Sequence, residues 1–175
     1  MDWMMMPLRR YAEFGGRSQR MECGMFYLLL TVSAVMSFLI MWWIGSGVAE
    51  GMAQPDAGLV RAFMTTGIFL LVFTLFWLGM LVPFLAVSVR RLHDIGWHGW
   101  WVALPSVSFV VVVAVWVSGG VTRNETMVAL TPWLWLGWLV GAAVFVGITF
   151  LPGARGPNRY GIDPKGRSDV ADVFA

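Results

Sequence analysis

The sequence predicts an all-α membrane protein, with four transmembrane helices in an antiparallel bundle and both termini cytoplasmic. Three observations carry that prediction. Of 175 residues, 58% are hydrophobic before the 20 glycines are counted, where soluble domains hold about 45–50% with glycine included. Charged residues make up 13%, about half the usual share, and a chain this apolar is not intrinsically disordered. Four long runs contain no Asp, Glu, Lys, Arg or His: residues 25–48, 63–87, 99–118 and 127–151. Each reaches the roughly 20 residues that a helix rising about 1.5 Å per residue needs to cross about 30 Å of hydrocarbon.

The first run, Met25 to Val48, is 24 residues long with 24 residues before it. A signal-peptide core is about 7–15 residues, so a retained span is the better reading. The second, Phe63 to Val87, contains Pro83, which places a kink near its cytoplasmic end. The third, Gly99 to Ser118, contains Val110 to Val113. That stretch is strand-like in water but is expected to be helical in lipid, where an unpaired strand edge has no partner. The fourth, Met127 to Leu151, carries Gly137 and Gly141 at GxxxG spacing. This predicts close approach of another helix, first from the same chain and, in the sharper version, from a second copy. The expected organisation is a cytoplasmic N-terminal segment 1–24, a membrane domain 25–151 and a cytoplasmic tail 152–175. None of the remainders approaches the roughly 50 residues of an independent domain.

Orientation follows from where Lys and Arg fall outside the runs, since positive charge near a span resists translocation. One side holds Arg9, Arg10, Arg17, Arg20, Arg90, Arg91, Arg155, Arg159, Lys165 and Arg167; the other holds Arg61 and Arg123. The basic excess therefore reads as a topology signal and an attraction to anionic headgroups, not as a nucleic-acid surface. Of the 11 tryptophans, Trp42, Trp43, Trp97, Trp100, Trp101, Trp133 and Trp135 fall near span ends, where indole rings favour the headgroup level. Trp77 and Trp116 fall deeper and are expected to pack between helices. The single cysteine, Cys23, cannot form an internal disulfide.

Three stretches outside the runs look constrained. They are Gly16-Arg17-Ser18-Gln19-Arg20-Met21-Glu22, the segment from Arg90 through Leu92, His93, Asp94, Gly96 and Gly99 to Trp101, and the segment from Gly156 through Asn158, Arg159, Tyr160, Gly161, Asp163 and Pro164 to Gly166. Here the chain resembles the DUF805 family of small bacterial inner-membrane proteins, four-helix proteins of uncharacterised function. That family combines an N-terminal GR-x-x-R-x-E, a central RRLHD-x-G-x-x-GWW and a C-terminal NRYG-x-DPKG. The resemblance covers roughly residues 14 to 166. Family members commonly have serine where this chain has Gln19, and an aromatic pair where it has Cys23-Gly24. The resemblance implies a fold and a location but no activity.

If both termini are cytoplasmic, all three stretches lie on one side of the membrane. The expectation is a single charged cluster of Arg17, Arg20, Glu22, Arg90, Arg91, His93, Asp94, Arg159, Tyr160, Asp163 and Lys165, with Glu22, Asp94 and Asp163 accepting from the arginines. A metal site is not expected, because His93 and His98 are five apart with a glycine between them and do not share a helical face. Carboxylates beside arginines read as charge pairs before acid–base catalysts, so no enzymatic activity, cofactor or catalytic residue is expected. The expected function is a non-enzymatic scaffold or interaction protein. The alternative is a small transporter or channel for a small molecule or lipid, although no span carries the ionisable residue typical of coupled carriers. The candidate partners are the bilayer, anionic headgroups, another membrane protein and a second copy of the chain, without nucleic acid.

Overall fold

The computed structural model describes residues 3–52 and 58–164. A short helix α1 (Met6–Arg9) precedes four long ones: α2 (Arg20–Met52), α3 (Gly58–Ile95), α4 (Ala103–Thr122) and α5 (Glu125–Thr149). A 3₁₀ turn, Gly99–Val102, leads into α4. All four long helices are long and apolar enough to cross a membrane, over Arg20–Val48, Phe63–Ile95, Gly99–Thr122 and Glu125–Thr149. The helices outrun the apolar runs at most of their ends, because backbone hydrogen bonding continues wherever capping and tertiary contacts support it.

Two hairpins make up the architecture. Helix α2 lies along α3 and α4 along α5, while the hairpins meet where the 3₁₀ turn packs on α3 and, more sparsely, where α5 passes α3. The α4–α5 connection is reduced to Arg123 and Asn124, where a longer loop was expected. Arg123 adopts a left-handed conformation with φ 53° and closes α4. The Asn124 side chain then accepts from the Met127 amide at 3.1 Å, capping α5. Farther along this hairpin, Trp138 donates its indole N–H to the Pro105 carbonyl at 3.0 Å. Phe109 packs against Trp135 and Trp138 at 5.9 and 5.2 Å between ring centroids.

The α3–α4 corner follows from two glycines. Gly96, with φ 91°, is the left-handed residue after α3. The Gly96 amide bonds to the His93 carbonyl and the Trp97 amide to the Leu92 carbonyl, the paired Schellman pattern that ends a helix. Gly99 sits so close to α3 that a Cβ there would lie 2.6 Å from Val89 Cγ1. The 3₁₀ turn thus packs backbone against side chain, which only glycine permits.

The N-terminal segment is held against the first hairpin. Pro7 is buried, and Leu8 packs on the cluster of Cys23, Phe26 and Val87. Pro83, inside α3, has no amide hydrogen, so the carbonyl four residues earlier loses its helical donor. That carbonyl belongs to Gly79, and the Tyr11 hydroxyl donates to it at 2.5 Å. A proline notch in one helix is therefore closed by a tyrosine from outside it.

Three expectations change. Gly137 and Gly141 approach no other helix among the described residues, since a Cβ on either would meet nothing there within 4 Å. Helix α5 turns Trp135 and Trp138 toward α4, and the glycines fall on other faces. Trp116 is 57% exposed and does not pack between helices. Trp135, assigned to the interfacial belt, stands edge-on to Trp138 at 5.8 Å and packs between α4 and α5.

Candidate functional site

At one end of the molecule the segment before α2, the last turns of α3 and the chain after α5 converge, and the side chains buried there are charged. Arg90 and Arg91 are 0% exposed, and Arg17, Glu22, Asp94 and Asp163 are also buried. A buried charge without a partner costs several kcal/mol. The geometry shows how that cost is met.

Asp94 is the hub. One carboxylate oxygen accepts from Arg17 Nε at 2.9 Å and the other from Arg91 Nη1. The Asp94 backbone carbonyl accepts the Ala154 amide at 2.8 Å, which pins the chain after α5 to the end of α3. Gly153 makes this approach possible, since a Cβ there would stand 2.7 Å from Asp94 Cγ and closer still to its Oδ2.

The two arginines bound to Asp94 use their remaining donors on backbone. Arg91 donates from Nε to the Thr149 carbonyl at 2.5 Å and from Nη2 to the Leu151 carbonyl. Arg17 donates to the carbonyls of Ala154 and, at 2.6 Å, of Gly156. The end of α5 gathers unpaired carbonyls and partial negative charge. Its last turn has no basic residue of its own, and Arg91 from α3 supplies the positive charge at the Thr149 carbonyl.

A second pair lies beside the first. Arg90 Nη2 is 3.0 Å from Glu22 Oε1, an off-line approach held by charge instead of an aligned hydrogen bond. The other Glu22 oxygen accepts from the Ser18 hydroxyl at 2.7 Å. Glu22 also lies in the first turn of α2, where negative charge favours the helix dipole. The Ser18 amide donates to the Arg90 carbonyl at 3.2 Å, laying the N-terminal segment across α3. Outside this core, Arg10 and Glu13 form an exposed pair at 2.6 Å, and hydrogen bonding from Arg10 holds the Glu13 carboxyl below its ordinary pKa.

The tail adds a separate layer. Asn158 and Gly161 exchange two backbone hydrogen bonds at 3.0 Å, with Gly161 at φ 139°. The Asn158 side chain accepts the Tyr160 amide at 2.9 Å and donates to the His93 carbonyl at 3.0 Å. This turn lays the Tyr160 ring on His93, 3.8 Å between centroids and 5° from parallel. Arg159 lies over the Tyr160 ring at 4.7 Å. His93 Nδ1 faces the Gly16 carbonyl at 3.3 Å, and Gln19 donates to the Pro164 carbonyl at 2.6 Å.

Of the residues singled out in the sequence, the structure unites Arg17, Arg91 and Asp94 in one network and pairs Glu22 with Arg90. It stacks His93, Tyr160 and Arg159 in an outer layer. Arg20 is half-buried at the start of α2. Asp163 is buried and engaged, and Lys165 lies outside the described residues. Sequence reasoning missed Ser18, Gly153, Tyr11 and every backbone carbonyl that the arginines use. The Pro152-Gly153 step after α5 was the available signal for Gly153. No group of three or more His, Cys, Asp or Glu suited to a metal ion occurs among the described residues.

The arrangement holds three chain segments together through buried charge pairs and arginine–carbonyl bonds. Inner membrane protein YhaH of Escherichia coli (strain K12) is 27% identical over 94% of this chain and 98% of its own length. Inner membrane protein YhaI of the same organism is 28% identical over 94% of this chain and 97% of its own. No solved structure matches the chain. The model of the family described as "Protein of unknown function (DUF805)" matches residues 11–162, so that it takes in Arg17, Glu22, Arg90, Arg91, Asp94 and the Tyr160 turn, and the chain belongs to the DUF805 family.

Proposed function

We propose that the protein is a non-enzymatic scaffold or interaction protein of the bacterial inner membrane, with both termini cytoplasmic and the buried charged cluster serving as a folding lock. The observation that carries this reading is the pairing of Asp94 with both Arg17 and Arg91, which are bound in turn to the carbonyls after α5. A lock of this kind fixes three chain segments and ties Arg17, Arg91 and Asp94 to fixed partners. A coupled carrier needs ionisable groups that change state near the midplane. The ionisable side chains of this network gather at one end.

Orientation is tested by cysteine labelling in a Cys23→Ser background. Glu125→Cys should react with an impermeant reagent in intact cells, and Ile162→Cys should react only after the membrane is opened. The scaffold reading is tested with proteoliposomes, which should retain an entrapped ion-sensitive dye as tightly as empty vesicles. Flux above the empty-vesicle rate would overturn it.

One observation favours the second reading, a path for a lipid or other hydrophobic molecule. Beyond the 3₁₀ corner, the two hairpins meet only sparsely, where α5 passes α3, and an opening to the bilayer between them would supply such a path. Accelerated exchange of a fluorescent lipid between leaflets, at unchanged ion tightness, would establish that reading in place of the first.

A further inference from the structure

We infer that the outer layer of the tail forms a discrete binding site for the headgroup of an anionic phospholipid, with Arg159 and His98 as its phosphate contacts. This goes beyond the proposed function, since such a site would serve a scaffold or a carrier equally.

Arg159 is exposed, yet its position is set. Its guanidinium lies over Tyr160 at 4.7 Å, and one Nη reaches the Gly96 carbonyl at 3.4 Å. Tyr160 is fixed by its stack on His93 and by the turn that Asn158 organises. The Tyr160 hydroxyl approaches His98 Nδ1 at 3.4 Å, bringing the exposed His98 beside the same ring. An arginine held in this way keeps its remaining donors for a ligand and loses less side-chain freedom on binding than a free surface arginine.

The charge around the patch has one sign. The ionisable groups that bear on His93 are Arg159 and His98; of the nearest acids along the chain, Asp94 is buried and paired with Arg17 and Arg91, and Asp163 is buried. The complementary ligand is therefore an anion. Its level in the membrane identifies which kind. Gly96 and His98 belong to the turn that leads into the 3₁₀ segment and α4. Trp97 and Trp101 pack together there at 5.5 Å, while Trp100 is 84% and Leu104 61% exposed. Tryptophans at the mouth of an apolar span mark the headgroup region. A phosphodiester at Arg159 would sit at that level with its acyl chains running along the start of α4. A soluble phosphate would gain nothing from that apolar flank.

The test is thermal unfolding of the full chain in detergent micelles with added phosphatidylglycerol, phosphatidylcholine or inorganic phosphate. Phosphatidylglycerol should raise the melting temperature of the wild type, and the other two should not. Arg159→Gln should melt like the wild type without lipid but need about tenfold more phosphatidylglycerol for half its effect, the loss expected for a charge-assisted contact. His98→Gln should weaken the response in the same direction, and Arg159→Lys should keep most of it. Arg123→Gln, at the far end of α4, should respond as the wild type does. An equal rise with phosphatidylcholine would assign the effect to general solvation by lipid, and an equal rise with inorganic phosphate would assign it to a free ion. Either result overturns the proposal. So would an Arg159→Gln protein that responds like the wild type, or an Arg123→Gln protein that loses the response. If Arg159→Gln does not fold, the comparison of His98→Gln with Arg123→Gln decides by the same criterion.

Discussion

The charged end of the molecule and the middles of its spans follow opposite rules of burial. Around Asp94 the fully enclosed side chains include Arg90, Arg91 and Glu22. Along the spans, large apolar side chains such as Phe38, Leu71, Val110 and Leu139 are more than half exposed. In water this would be a protein turned inside out. In a bilayer, lipid tails solvate leucine as well as another leucine does, so apolar surface gives the helices little reason to associate. Polar groups have nowhere to go but each other. The difference teaches that the spans set where the chain sits, while a small polar network sets how its segments are arranged.

The largest effect should come from breaking that network. Asp94→Asn keeps the shape of the side chain but leaves Arg17 and Arg91 buried without a countercharge, and removing one partner of a buried pair typically costs about 3–5 kcal/mol. A large fall in melting temperature in detergent is expected, with no comparable loss when Asp94 and both arginines are replaced together by apolar residues of similar volume. A protein that melts normally as Asp94→Asn and loses only its partners on co-purification would make the cluster a docking site instead of a lock.

Gly153→Ala tests the same network from the backbone side. The added methyl would overlap the Asp94 carboxylate, forcing apart the Ala154–Asp94 bond at an expected cost of about 1–3 kcal/mol. Gly141→Ala, the same change in open space on α5, serves as its control.

Tyr11→Phe removes one hydroxyl from the Pro83 notch and should cost about 0.5–1.5 kcal/mol. Its sharper signature is protease sensitivity of the N-terminal segment, with α2 to α5 intact. Unchanged proteolysis would mean that Pro7 and Leu8 suffice to hold the segment down.

The smallest effect is expected at the spans themselves. Gly141→Leu should leave monomer stability within about 0.5 kcal/mol, because a Cβ at that position would meet nothing within 4 Å among the described residues. Altered elution of this variant from a sizing column, at unchanged melting, would show that a second copy uses the α5 face that this chain leaves open.

Much of the fold was legible because membrane helices are specified locally. Length, apolarity and the lack of charge in Met25 to Val48 or Phe63 to Val87 require no knowledge of neighbours, since each helix satisfies its own backbone. Helix ends were less legible. Asn124 and Arg123 shorten a loop through cap geometry that hydropathy does not register. In the charged cluster, residue types, common side and the carboxylates Glu22 and Asp94 as partners of the arginines were readable, but the backbone acceptors were not. Arg17 and Arg91 bind carbonyls of Thr149, Leu151, Ala154 and Gly156, and every residue carries a carbonyl, so sequence gives no mark of which ones are used.

By itself, then, the sequence determined that this chain is a four-span helical membrane protein and which charged residues could meet outside the spans. It did so because transfer of apolar and charged groups into hydrocarbon depends on composition over about 20 residues and on little else. Only the tertiary structure decided that Asp94 is shared by two arginines, that Gly153 makes room for it, and that Tyr11 serves the carbonyl freed by Pro83. It also decided that the glycines of α5 meet no other helix among the described residues. Those outcomes depend on distances between residues some 60 to 140 positions apart in the chain, set by how two hairpins dock, and docking in a bilayer is directed by a few specific contacts instead of by a general drive to bury apolar surface.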